Sequence, residues 1–313
     1  MNVLALPAKA GNRVTVKAPA KINIQLSVGA PRSDGFHDIA TVYQAVSLFD
    51  EISVTALAPG SGATIEITGD EAADLTADEN NLAHRAVTTL AKKLKVKPDC
   101  HIEVKKAIPV AAGLAGGSAD AAAALVGANT LWGNPLSKEQ LATMAATLGS
   151  DVPFALRGGT AVGRGRGEVL APTLCRGEFA WVLAFVEGQI STPESYQLLD
   201  ESRASHEVAE IDERVLTALA TGDSAALGAA LSNDLQDVAI RLKPNISSLL
   251  EYGMQEGALG ALVSGSGPTC IFLARDNDHA IDLAVRLSGG AVCRSVRRVI
   301  GPAPGAKVES TSS

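Results

Sequence analysis

No glycine–lysine pair occurs anywhere along the 313-residue chain. That absence excludes the Walker phosphate loop, in which a lysine follows the last glycine directly. Cys100, Cys175, Cys270 and Cys293 form no C-x-x-C, and a chain of this length does not need disulfide staples, so reduced thiols are expected. His37, His84, His101, His206 and His279 show no ligand spacing, which argues against a zinc site. Aromatic residues make up only 4%, too few for an array of base-stacking side chains. Positive charge is also short: 27 Lys and Arg against 34 Asp and Glu leave a net charge of -7. This is not the balance of a protein built to neutralise nucleic-acid phosphates, although a local groove for one small anion is compatible with it. No apolar run reaches membrane-spanning length, and the short run in MNVLALPAKAG has no positive residue before it. The expectation is a cytoplasmic protein, monomer or homodimer, that engages neither nucleic acid nor membrane.

What is present is an α+β pattern. RVTVKAPAKINIQLSV (13–28) alternates like a strand, an Ala-Pro interruption and a second strand. TVYQAVSLFDEISVTAL predicts a further pair, broken near Phe49-Asp50-Glu51. A capped helix is predicted within LTADENNLAHRAVTTLAKKLKV (75–96), a strand over 100–108, and helices from Ser118 to Leu131 or Trp132 and over 137–149. The glycine-dense GGTAVGRGRGEVL (158–170) marks a boundary, dividing the chain into 1–168 and 169–300. The second part reads as a buried strand (178–186) and helices over 193–202, 210–221, 224–241 and 244–256. Two strands then flank Ser264-Gly265-Ser266-Gly267, followed by a helix over 276–287 and a last strand over 291–300. The small, polar tail 301–313 reads as disordered.

Four stretches could carry chemistry. In IPVAAGLAGGSADAAAAL (108–125) a strand, a glycine-rich turn and a helix start follow one another. A helix N-terminus offers unpaired N–H groups and roughly half a positive charge, so it can hold an anion without a lysine. The same letters also suit a plain turn with Ser118 as N-cap. Lys21 in APAKIN sits in an apolar strand context, where its head needs a partner or water. Asp151 follows a helix stop in GSDVPF, and SGSG (264–267) is a second glycine turn.

Taken in order, PAKIN, P-x-x-x-G-L-x-G-G-S-x-D and S-G-S-G resemble the GHMP kinase superfamily. The wording of RSDGFHDIATVYQAVSLFDEI, LGSDVPFAL and GGTAVGRGRGE is similar to its kinases for a cytidine diphosphate-linked methylerythritol. The resemblance covers most of 14–170, returns at 258–274 and is faint between 187 and 257. It implies a two-domain α+β fold, with an N-terminal ATP-binding and catalytic domain and a ferredoxin-like C-terminal domain. It implies ATP and Mg²⁺ as cofactors, the phosphates being wrapped by Pro109, Val110, Ala111, Ala112, Gly113, Leu114, Ala115, Gly116, Gly117, Ser118 and Ala119. Lys21 and Asp151 become the catalytic pair, and Ser118 the one protein ligand for the metal. Asn23, Phe36, His37 and Thr192 become substrate contacts, with Phe36 and His37 holding the cytosine. Phe36, Ala115 and Ala119 depart from the tyrosine, glycine and serine usual in the family. Another small-molecule kinase of the superfamily, of mevalonate or homoserine type, or a non-catalytic nucleotide-sensing relative, shares the same broad motifs.

Overall fold

A computed structural model describes residues 8–72, 75–203, 208–290 and 292–313. The chain begins with β1 (Arg13–Pro31), β2 (His37–Ala56), β3 (Ala63–Thr68), α1 (Leu82–Leu94) and β4 (Cys100–Lys105). After these come α2 (Gly116–Leu131), α3 (Lys138–Leu148), α4 (Val152–Arg157), β5 (Thr160–Arg164), β6 (Val169–Pro172) and β7 (Phe179–Phe185). Helices α5 (Thr192–Ser202), α6 (Glu213–Thr221) and α7 (Ser224–Ala230) lead to β8 (Ser232–Asn233), α8 (Gln236–Leu242) and α9 (Asn245–Gln255). The chain ends with β9 (Gly260–Val263), β10 (Cys270–Leu273), α10 (Asn277–Gly289), β11 (Ser295–Gly301) and β12 (Lys307–Ser312).

The first sheet runs β12-β1-β2-β4-β3, with β5 and β6 continuing from β2 and β8 lying beside β1. The second runs β11-β7-β10-β9 with antiparallel pairing throughout. In chain order those strands are the fourth, first, third and second of a β-α-β-β-α-β unit, the ferredoxin-like arrangement. Trp181 on β7 is fully buried and donates its indole N–H to Gln44 Oε1 on β2 (2.9 Å), which ties the two sheets through a satisfied polar contact. One hydrophobic cluster holds Ile22, Val54 and Leu125 with Leu183, Leu219 and Ile271, so the two layers share a core.

Helix α2 buries almost its whole surface, which is apolar apart from Asp120 and Asn129. Ala119, Ala121 to Leu125 and Ala128 are buried, and α2 lies between the first sheet and α1, α3 and α4. A Cβ at Gly127 would stand 2.9 Å from Val54 Cγ2, so glycine lets this helix rest directly on the sheet. That seating fixes its N-terminus, and with it the glycine-rich turn.

Several expectations need correction. β1 is continuous: Pro19 lies inside it, opposite Phe49, where the register with β2 shifts after Pro19. β2 is also a single strand, because Asp50, which read as a break, is buried with its charge partnered by Lys106. The helix expected over 224–241 is two helices. Ser232 and Asn233 run alongside Gln25 and Leu26, and Asn233 Oδ1 accepts from the Leu235 N–H (2.9 Å), a side-chain turn that competes with helix. The hairpin β5–β6 stays with the first sheet, so the chain crosses between sheets after Pro172 rather than at 168.

The tail is ordered. β12 pairs with β1 from Arg13 opposite Ser312 to Lys17 opposite Lys307. The segment before it is tied by Gly159 N–H to Ala303 O (2.8 Å) and Ala306 N–H to Ala155 O (2.9 Å). Its polar composition reflects an exposed edge strand held by ladder hydrogen bonds rather than by burial. The strand expected over 291–300 is β11, and residue 291 lies outside the described residues.

Candidate active site

Alternation along β1 sets the first wall. Ala20, Ile22 and Ile24 enter the core, which turns Lys21, Asn23 and Gln25 to the opposite face. Lys21 is buried at 7% exposure and donates to Asn23 Oδ1 (2.6 Å), while Asn23 Nδ2 donates to Thr41 Oγ1 (2.8 Å). Burial pulls the Lys21 ammonium below the ordinary lysine range, and the charge of Asp151 opposes that pull. The ammonium also lies 5.5 Å from the centroid of the Tyr43 ring.

Asp151 precedes α4 and leaves the helix N–H groups uncapped by its side chain. Burial, then the charge of Asp151 and a hydrogen bond to it, hold the Tyr43 hydroxyl protonated well above the usual tyrosine range.

The glycine-rich turn forms the second wall. Ala115, in the left-handed region at φ 57, precedes α2 without any side-chain cap, so the first N–H groups of the helix are open to a ligand. Pro109, Ala111, Ala112, Gly113, Ala115, Gly116, Gly117 and Ser118 line a cavity of about 780 Å³ with Lys21, Asn23 and Asp151. Three neighbours in the sequence do not line it. Leu114 and Ala119 are fully buried in the core, and Val110 lines a separate cavity behind the turn. Ser118 Oγ faces the loop that carries Asp151, lying 3.9 Å from where a Gly149 Cβ would be.

The C-terminal half closes the cavity with its own glycine turn. Gly113 takes φ +77, and a Cβ there would sit 1.9 Å from Ser264 O. Ser264 Oγ donates to Gly113 O (3.1 Å) and accepts from Asn23 N–H (3.4 Å). Asn233 Nδ2 donates to Val263 O (2.7 Å) and Gly265 O (2.8 Å), which holds the turn in place. Thr192, in the first turn of α5, has its Oγ1 2.9 Å from Ser266 Oγ.

The far end of the cavity is aromatic. His37 is buried, its Nε2 lies 2.9 and 3.1 Å from the two Asp200 carboxylate oxygens, and its ring stacks on Tyr196 at 4.9 Å. Phe36 is 48% exposed at the rim, with the Arg166 guanidinium 4.8 Å over its ring. Thus Lys21, Asn23, Phe36, His37, Ser118, Asp151 and Thr192 all face one cavity. Tyr43, Tyr196, Asp200 and Asn233 join the site without any sequence motif to announce them. Only Tyr196 had a usable signal, four residues after Thr192 on one helix face. Among the described residues no group of three or more His, Cys, Asp or Glu could hold a metal ion, and no helix is long and apolar enough to cross a membrane.

Two sheets joined over a glycine-rich helix start define a two-domain α+β class, and family models match residues on both sides. The model for the GHMP kinases N terminal domain matches residues 81–159, and that for GHMP kinases C terminal matches 215–291. The chain belongs to the GHMP kinase family. Within it, the chain is 48% identical over 297 residues to the 4-diphosphocytidyl-2-C-methyl-D-erythritol kinase of Nocardia farcinica, covering 94% of this chain and 96% of that one. It is 49% identical over 301 residues to the protein of that name from Thermobifida fusca, covering 94% and 98%. A crystal structure of 4-(cytidine 5'-diphospho)-2C-methyl-D-erythritol kinase superposes with a TM-score of 0.76 at 31% identity, covering 92% of this chain and all of the other.

Proposed function

We propose that this protein transfers the γ-phosphoryl group of ATP to the 2-hydroxyl of 4-diphosphocytidyl-2-C-methyl-D-erythritol, releasing ADP, in the non-mevalonate route to isoprenoid precursors. The observation that carries this reading is one cavity with a lysine–aspartate pair and an open helix N-terminus at one end and an aromatic, histidine-bearing slot at the other. The near-half identity to kinases of that name supports it over mevalonate- or homoserine-type substrates.

Residues 109–118 hold the phosphates by backbone N–H groups and the positive end of α2. Asp151 orients the hydroxyl and accepts its proton late in the transfer, and Lys21 stabilises the negative charge developing on that oxygen. Asn23 keeps the Lys21 head aimed. A carboxylate only accepts, so His37 donates to Asp200 from Nε2, and a ring without a hydrogen on Nδ1 accepts there from an exocyclic amine of the base. Phe36 and Tyr196 offer ring faces to the same base, and the Phe36 ring keeps its stacking surface without a hydroxyl. Thr192 contacts the substrate from the C-terminal side.

The donors present suit Mg²⁺. Ser118 offers one hydroxyl at the phosphate end, and Mg²⁺ takes most of its ligands from water and phosphate. When bound, the ion neutralises charge on the transferring group.

Turnover on purified protein tests the reading. ADP release is expected with the cytidine substrate, and release with homoserine or mevalonate alone would overturn it. Asp151→Asn is expected to lower kcat at least about 100-fold while ATP still binds; an unchanged rate removes Asp151 from the mechanism.

A further inference from the structure

Beneath the glycine-rich turn lie three buried ionisable groups that the reaction does not use. Lys106, Asp50 and Asp120 are 2%, 0% and 4% exposed. The Lys106 ammonium donates to Asp50 Oδ2 (2.5 Å) and to Asp120 Oδ2 (2.9 Å). Asp50 Oδ1 accepts from the Ala107 N–H (2.7 Å) and the Ile108 N–H (2.9 Å), the two residues that lead into the turn at Pro109. Asp120 lies in the first turns of α2, into which the glycine-rich turn runs. A Cβ on Gly116, the first residue of that helix, would stand 3.1 Å from the ammonium. Gly116 itself lines the cavity, so the Lys106 charge sits one backbone layer behind the wall.

Burying three ionisable groups together is costly, and apolar residues of similar volume would often be no less stable. Asp120 Oδ1 has no hydrogen-bond partner among the described residues, so the cluster is not fully satisfied. The arrangement is therefore poorly explained by stability alone. What it does achieve is geometric: one ammonium joins the strand end entering the turn to the helix start leaving it.

We propose that Lys106, Asp50 and Asp120 are positioning residues for the nucleotide, a buried clip that holds both ends of the glycine-rich turn. The inference rests on the reading that residues 109–118 hold the ATP phosphates. Opening the clip lets the entry and the exit of the turn move independently, so the N–H groups lose their common focus. The alcohol substrate, anchored through its base at the other end of the cavity, keeps its affinity.

The test is steady-state kinetics of Asp120→Ala and Asp120→Asn, with both substrates varied in turn and a non-hydrolysable ATP analogue titrated separately. Asp120→Ala cuts the link to α2 and leaves the neutral Asp50–Lys106 pair. It is expected to raise the KM for ATP and the analogue Kd by about 5- to 20-fold, with the KM for the alcohol within about 2-fold of the parent. Asp120→Asn keeps an oxygen that accepts from Lys106 and is expected to restore the ATP KM to within about 2-fold. Should the alanine variant not fold, Asp120→Leu breaks the same link with packing in its place, and the same split is expected of it. A parallel rise in both KM values, an ATP KM unmoved by both Ala and Leu, or no rescue by Asn overturns the proposal. If the parent itself fails to phosphorylate the cytidine substrate, the functional reading fails instead, and analogue binding still reports on the clip.

Discussion

Replacing Gly113 by alanine tests the contact between the two halves at a single atom. The added Cβ would lie 1.9 Å from Ser264 O, 3.0 Å from Ser264 C and 3.2 Å from Gly267 N, all backbone atoms that cannot rotate away. Restoring a tolerable separation moves the two turns apart by at least about 1 Å. The left-handed φ of +77 adds about 1–2 kcal/mol of strain for an alanine. Separation also breaks the hydrogen bond from Ser264 Oγ to Gly113 O, and leaving buried polar groups unpaired costs a further ~1–3 kcal/mol. The total, about 2–5 kcal/mol, should appear as a lower denaturation midpoint with an unchanged slope in urea. A displacement of about 1 Å in the phosphate turn is expected to lower kcat/KM about 100-fold. Gly117→Ala is the control: its Cβ meets only Leu82 Cδ1 at 3.6 Å, and its stability should stay level or rise by up to about 1 kcal/mol. A Gly113→Ala protein within 0.5 kcal/mol and about 3-fold of the parent would refute the close-approach argument.

Four further outcomes follow from the geometry. Because burial lowers the Lys21 pKa, its positive charge is lost as pH rises through a value below 10.5, so kcat/KM should fall on an alkaline limb below that pH. Asp151 raises the Lys21 pKa, so the residual activity of Asp151→Asn should show that limb at lower pH; a limb that does not move contradicts the coupling. Ala115→Gly should relieve left-handed strain and gain up to about 1 kcal/mol, measured by denaturation, and a loss would show that the methyl packs favourably. Removing residues 307–313 should cost about 1–3 kcal/mol by opening the β1 edge, while both KM values hold; an unshifted midpoint would mean that β12 adds nothing.

Short-range signals were legible where the physics is short-range. Ser137 reads as an N-cap, and it forms a capping box with Gln140. The glycine-rich turn reads as a helix entry, and α2 begins at Gly116. What the sequence concealed is pairing across distance. Asp50 looked like a strand break because its partner, Lys106, stands on another strand's end. The tail looked disordered because a polar edge strand buries almost nothing, so hydrophobic pattern cannot reveal it. Tyr43 reaches Asp151, and Asp200 reaches His37, only once sheet and helix are assembled. Lys21 was distinguishable from an ordinary outward strand lysine by its motif, since alternation alone assigns only its face.

The hydrogen bonds around Lys21 form a closed circuit, and this gives the second glycine turn its meaning. Lys21 donates its backbone N–H to Leu114 O (3.1 Å) and its ammonium to Asn23 Oδ1. Asn23 N–H reaches Ser264 Oγ, and Ser264 Oγ reaches Gly113 O, which returns the path to the residue before Leu114. Three segments far apart in sequence therefore fix one another, and none can shift without disturbing the lysine head. A Lys21 placed by packing alone would have four flexible methylenes and several rotamers of similar energy. Here its strand, the glycine-rich turn and the C-terminal turn converge on one position, so a misplacement in any of the three is felt at the Lys21 ammonium. The C-terminal turn thus supports the Lys21 head as much as it covers the cavity, which explains why a glycine is required at 113, on the opposite side of the contact.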